Sequence, residues 1–188
     1  ELKIRVVVLI DDGSASASEI VAAAVSESAD IPLIGVKSFG KGTVQTAQDF
    51  KDGSNFKYTA AKWLTPEGNW IHKKGIKPDI TVKLPDYASL PYISPDKELK
   101  ASDSSSEVKA AEEMLKEAGH DPGKIDGFFD EATKNAVTAF QREQKIKETG
   151  TIKDDTTVKL MQVIQEKILK NDTQVKKAVE VLKKEINK

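Results

Sequence analysis

The sequence predicts two units of different class. Residues 1–84 read as an α/β (α+β) unit with a β-hairpin, and 107–165 as a small all-α unit of three helices. A linker at 85–106 joins them, and a C-terminal amphipathic helix occupies 166–188. Three observations predict this. In the first ninety residues short β-branched runs are interleaved with one helical segment, the pattern of strands joined by a crossover helix. From Glu107 onward apolar residues recur at helical spacing, punctuated by Gly119 and Gly150. Between the two, Pro85, Pro91 and Pro95 lead into Ser102-Asp103-Ser104-Ser105-Ser106, which is linker composition.

The elements follow in order. Val6 to Ile10 is an apolar run that suits a buried strand. A small-residue block, Gly13-Ser14-Ala15-Ser16-Ala17-Ser18, precedes a helix of good formers from Glu19 to Val25. Ile31 to Val36 reads as a second strand. Thr43–Phe50 and Phe56–Leu64 are rich in β-formers, and Lys51-Asp52-Gly53-Ser54-Asn55 between them suits a hairpin turn. Thr65-Pro66-Glu67-Gly68 makes a further turn, and Ile80 to Leu84 a last short strand. Leu90, Tyr92 and Ile93 give the linker enough apolar character to lie against a surface. In the second unit Val108, Ala111, Met114, Leu115 and Ala118 mark one helix. Ala132, Ala136, Val137, Ala139 and Phe140 mark another, and a third starts near Thr156 behind Asp154 and Asp155. In the tail, Val175, Val179, Leu182 and Ile186 form a narrow apolar stripe that needs a partner surface.

Composition narrows the function. The net charge is −1 with both signs mixed, which gives no footing for nucleic acid. The absence of cysteine excludes disulfides and thiolate metal sites, and no cofactor or metal is expected. No apolar run is long enough to span a bilayer. The chain opens at Glu1 directly before an apolar strand, so a piece of a longer protein is expected.

The chemistry concentrates between Gly13 and Gln45. A serine at a strand-to-helix turn is a poor nucleophile without a base in hydrogen-bond reach. The histidines offer little: His72 lies in a charged turn and His120 follows a helix-stop glycine in the other unit. Lys41, set between Gly40 and Gly42 with Phe39 and Val44 nearby, is the better base, because apolar surroundings disfavour the charged amine. Gln45 can orient that amine if the backbone turns tightly between them. Residue chemistry alone leaves two alternatives open: a small-residue helix cap with a solvated turn lysine, or a Ser/Lys pair. It does not choose among Ser14, Ser16 and Ser18.

The motifs Gly13-Ser14-Ala15-Ser16-Ala17-Ser18-Glu19-Ile20, Phe39-Gly40-Lys41-Gly42-Thr43-Val44-Gln45 and Thr65 to Asp79 together resemble the C-terminal processing (tail-specific) serine peptidases over residues 1–84. The resemblance implies a protease half-domain with Ser16 as nucleophile, Lys41 as general base and Gln45 positioning the lysine. The backbone N–H of Ala17 becomes an oxyanion donor. It also implies that the PDZ domain and first half of the catalytic core come from elsewhere, so that this piece alone is inactive. Residues 108–160, with Ile125 to Asp130, Thr133, Ala136-Val137, Phe140-Gln141, Gly150 and Leu160, resemble a peptidoglycan-binding-type domain. A structural reading needs no ligand there, with Phe128, Phe140, Val137 and Leu160 as core and Gly127 as a turn residue. The pattern departs at Ala111-Glu112-Glu113, where the family has a glutamine, and at Asp130. Together the resemblances imply a Gram-positive, sporulation-linked processing protease that acts on polypeptide substrates outside the cytoplasm. A homodimer through the tail helix and peptidoglycan are the partners they suggest. The alternative is a cell-wall-binding or dimerisation module without activity of its own.

Overall fold

A computed structural model describes residues 4–186, with side chains through residue 184. The chain forms two compact units. Unit 1 comprises the residues up to Lys83 together with the segment from Thr173, and unit 2 runs from Leu84 to Asp172.

Unit 1 is built on a β-α-β crossover. β1 (Val8–Ile10) leads through α1 (Ala17–Ala29) to β2 (Leu33–Gly35), which lies parallel to β1 with Val8 opposite Leu33. The alanine-rich face of α1 approaches the sheet closely, and Ala22 buries with Ile10 and Leu33, flanked by Val8, Val25 and Ile76. β3 (Thr43–Asp49) and β4 (Asn55–Lys62) form the antiparallel hairpin that the turn signal predicts. Asp52 closes its turn by accepting from the backbone and hydroxyl of Ser54. β5 (Ile80–Thr81) then joins β2 in parallel, giving the order β1-β2-β5. The strands are shorter than their apolar runs: Val6 and Val7 lie outside β1.

The tail divides differently from the expected 166–188 helix. One helix of unit 2 continues to Lys170, and a separate α5 (Thr173–Ile186) packs against β1 and β2 of unit 1. Its buried positions are Gln174 and Ala178, whereas Val175 and Val179 of the expected stripe are exposed. The side chain of Ile186 lies outside the described residues. A short alanine lets the helix sit on the sheet. Burial of Gln174 is satisfied because its Nε2 donates to Val82 O at 3.0 Å.

Unit 2 holds α2 (Ser106–Glu117), α3 (Glu131–Glu143) and α4 (Asp155–Lys170). Ser105 caps α2 by accepting from Val108 N, and Asp130 caps α3 by accepting from Thr133 N. Residues 85–106 do not behave as a free linker. After a 3-10 turn at Asp86–Ser89, Ile93 and Leu99 bury in the helical core, and Leu99 exchanges backbone hydrogen bonds with Ile152. Burial of those two side chains, worth about 1.5–3 kcal/mol each, overrides the proline and serine composition. Val137, Phe140 and Leu160 are core as expected, but Phe128 is 47% exposed and Phe129 is fully buried in its place. The reason is local. Phe129 exchanges backbone bonds with Ser102 and Asp103, so extended backbone turns the neighbouring ring outward.

Candidate active site

The small-residue block folds into a tight strand-to-helix turn. Asp11 Oδ1 accepts from Gly13 N and from the Ser14 hydroxyl, while Ser14 Oγ accepts from Asp11 N. Ser14 is thereby a loop-closing residue. Ser18 is exposed on the first turn of α1. Ser16, half-buried, is the N-cap and adopts φ 54°, ψ −111°, a region costly for any residue with a Cβ. A strained serine at a strand-to-helix turn is how a nucleophile is presented at the edge of a sheet. Ala17 opens α1, and its N–H donates to no protein group among the described residues.

One residue joins this turn to the lysine. Glu19, fully buried on α1, accepts from Ser16 N (2.9 Å) and Lys41 N (2.8 Å) on Oε2, and from Gly40 N and Ser38 Oγ (both 2.6 Å) on Oε1. Burial works against its charge. Donation from Ser38, Lys41, Gly40 and Ser16 outweighs burial and holds its pKa below the usual glutamate value. The backbones of Ser16 and Lys41 therefore meet at a single carboxylate oxygen. Phe39 N donating to Ser14 O (3.0 Å) adds a second tie. Sequence reasoning took Glu19 only as a helix former. The signal that could have found it is the Ser-x-x-Glu capping pattern, whose glutamate reaches back to the N-cap amide.

Both glycines beside Lys41 are required by close approach. Gly40 sits at φ 92°, where a Cβ would lie 2.8 Å from Gly75 N, and a Cβ on Gly42 would lie 2.8 Å from His72 N. Lys41 itself is half-buried, and no hydrogen bond links its Nζ to Ser16 Oγ among the described residues. Gln45 lies exposed on β3 opposite Thr59, just past a register slip that leaves Ala60 of β4 unpaired. The backbone from Lys41 to Gln45 is thus neither helical nor a straight strand. His72, read from sequence as a turn residue, packs against Gly42 and stacks on Trp70 at 5.4 Å. His120 pairs with Glu143 and meets Phe140 edge-on in unit 2. Among the described residues no cluster of acidic or histidine side chains could hold a metal ion.

Residues 1–82 match the family model described as "Peptidase family S41". This part of the chain is similar to peptidase family S41. Residues 104–161 match a second model, described as "Putative peptidoglycan binding domain". The whole arrangement is similar to the carboxy-terminal processing protease CtpA of Bacillus subtilis (strain 168), 53% identical over 180 residues. That match covers 96% of this chain and 38% of CtpA. CtpB of the same organism is 48% identical over 177 residues, covering 93% of this chain and 37% of CtpB. The chain therefore spans less than two-fifths of the length of these relatives. Among solved structures, a photosystem II D1 C-terminal processing protease aligns with TM-score 0.39 and 43% identity, over 42% of this chain and 21% of that one. The S41 part thus carries the Ser16 turn, Glu19 and the Lys41 loop, and the peptidoglycan-binding-type match falls within unit 2.

Proposed function

We propose that the chain is the nucleophile-bearing part of a serine endopeptidase that cleaves polypeptides near their C-termini. Ser16 attacks the scissile carbonyl while Lys41 takes the hydroxyl proton. The developing oxyanion is met by the Ala17 N–H at the positive end of α1. The leaving amine takes the proton from Lys41, and water then releases the acyl group from Ser16 by the same route in reverse. Gln45 orients the lysine amine. The observation that carries this reading is the Glu19 carboxylate, which fixes the backbones of the nucleophile and the base to one point. A buried carboxylate holding four donors is costly to build and keeps two chain segments in register. Catalysis requires just such fixed geometry.

The rest of the catalytic core and the PDZ domain come from an N-terminal part that precedes this segment in the complete protein, and the isolated chain is inactive. The enzyme works outside the cytoplasm, associated with the cell envelope through unit 2, and assembles as a homodimer. The test is complementation. The chain joined to its N-terminal part cleaves a peptide substrate, and Ser16→Ala and Lys41→Ala each lower kcat at least 1,000-fold. Robust Ser16-dependent turnover by the 188-residue chain alone would overturn the inactivity, and unchanged turnover in Lys41→Ala would overturn the dyad.

The self-contained core of unit 2 favours a second reading, a cell-wall-binding module with no activity. Retention on purified peptidoglycan, with no activity after complementation, would decide for it.

A further inference from the structure

The chain has two tryptophans, and both donate to the lysine-bearing loop. Trp63 Nε1 donates to Lys41 O at 2.9 Å, and Trp70 Nε1 donates to Gly42 O at 3.0 Å. We propose that Trp63 and Trp70 are positioning residues for Lys41, acting through their indole N–H groups on the backbone that carries the base. The proposal rests on the reading of Lys41 as the general base and deepens it.

The loop is held from both sides of its backbone. Glu19 takes the N–H groups of Gly40 and Lys41. The carbonyl of Gly40 accepts from Lys73 N at 2.8 Å, that of Lys41 from Trp63, and that of Gly42 from Trp70 and from Trp63 N. The donors come from separate stretches: Trp63 directly after β4, and Trp70 and Lys73 from the segment between β4 and β5. Two stretches of chain thus converge on three consecutive carbonyls, and α1 supplies the acceptor for the amides.

Indole suits this task. It is a donor only, so it cannot compete for the loop's N–H groups, and its rigid plane reaches far with few torsions to fix. Trp70 is itself steadied by two neighbours. Its ring stacks on His72 at 5.4 Å, and Lys62 Nζ lies 5.5 Å from its centroid. The need for such a frame follows from the surroundings. The adjoining hairpin is exposed along nearly its whole length, with all eight residues of β4 exposed. A loop attached to such a hairpin inherits little rigidity from packing. Without the indoles, the carbonyls of Lys41 and Gly42 would turn to water, and the Cα from which the lysine amine fans out would follow. A proton acceptor displaced by an ångström loses much of its effect while substrate binding is untouched.

The experiment uses the chain completed with its N-terminal part and assays peptide cleavage. Each tryptophan is replaced by phenylalanine, which keeps an aromatic ring and removes the donor. Each is also replaced by β-(3-benzothienyl)alanine, which exchanges only the indole N–H for sulfur, and by 5-fluorotryptophan, which restores the donor. Loss of the donor is expected to lower kcat at least tenfold with KM within twofold, 5-fluorotryptophan recovering kcat. A kcat within twofold in the benzothienyl variants overturns the proposal. A rise in KM at constant kcat also overturns it, because it makes the indoles groove walls. Where a phenylalanine variant fails to fold, the near-isosteric benzothienyl variant decides. Lys41→Ala run alongside separates the two failures: an inactive Lys41→Ala with fully active indole variants leaves the dyad standing and removes the clamp.

Discussion

Two turns in this chain share one unusual backbone. Ser16 enters α1 at φ 54°, ψ −111°, and Asp154 enters α4 at φ 46°, ψ −119°. Each is the N-cap of its helix. The residue three places on, Glu19 in one and Thr157 in the other, is fully buried in both. There the likeness ends. Glu19 gathers four donors from two chain segments, whereas Thr157 Oγ1 is buried with no hydrogen-bond partner among the described residues. Asp154 N donates to Pro95 O and its turn serves only the entry of a helix. A strained elbow is therefore not by itself a sign of catalysis. What sets the Ser16 turn apart is the carboxylate behind it, which ties the elbow to the Lys41 loop.

The sharpest way to break this contrast is to alter the third residue of each helix. Glu19→Ala strands buried donors and is expected to cost roughly 3–5 kcal/mol of unit 1 stability, with activity lost in the completed enzyme. Thr157→Val removes an unpaired buried hydroxyl at constant shape. It is expected to be neutral or stabilising by up to about 1 kcal/mol. Thermal unfolding of both variants checks the pair, and equal effects would erase the distinction.

Next in size is the strain itself. Ser16→Gly and Asp154→Gly each relieve a positive φ and are expected to raise stability by about 1 kcal/mol. Only Ser16→Gly should abolish cleavage, and denaturant midpoints together with turnover test this.

The smallest effect concerns protons, and it has opposite sign in the two units. Glu19 titrates below its ordinary value, so its stabilisation is present above the unfolded glutamate pKa near 4.5 and is lost as pH falls through its folded value. Glu112 of α2 is raised. Burial dominates there, over the opposing donation from Gly127 N and Thr133 Oγ1. Its contribution is present below about pH 4.5 and is lost as pH rises through its folded value. Glu112→Gln is expected to stabilise unit 2 at pH 7 by about 1 kcal/mol or less, the gain vanishing at pH 4. Calorimetry from pH 7 down to about pH 2 reads both signs, Glu112 above about pH 4.5 and Glu19 below it.

Much of this was legible beforehand. The crossover, hairpin and three helices follow from periodicity and turn chemistry, because each is decided by near neighbours. The candidate base was within reach because Lys41 stands between glycines, whereas Ser16 was separated from Ser14 and Ser18 only by the family resemblance. What escaped was long-range. Glu19 looks like any glutamate in a helix until Gly40 and Lys41 return to it, and Trp63 and Trp70 reveal their acceptors only once the hairpin has closed. The exchange of Phe128 for Phe129, and of Val175 and Val179 for Gln174 and Ala178, has the same origin. The side that buries is chosen by what lies across from it, and a polar residue wins where a carbonyl awaits its amide.

α5 has a bearing on how the molecule is made. The sheet beside the candidate site is covered by a helix that begins at Thr173, after all of unit 2 has been laid down in the chain. Synthesis runs from the N-terminus at about 5–20 residues per second. The strands of unit 1 therefore leave the ribosome first and wait, one face open, while roughly ninety residues of a different unit are added. Unit 2 has all its residues in one continuous stretch and can close its core during that interval. The Ser16 turn and Lys41 loop thus reach their final support last, when α5 arrives and Thr173 and Gln174 bond back to the carbonyls of Lys83 and Val82. A nascent chain of this design carries the Ser16 turn and the Lys41 loop on an unfinished sheet until all of unit 2 has been made.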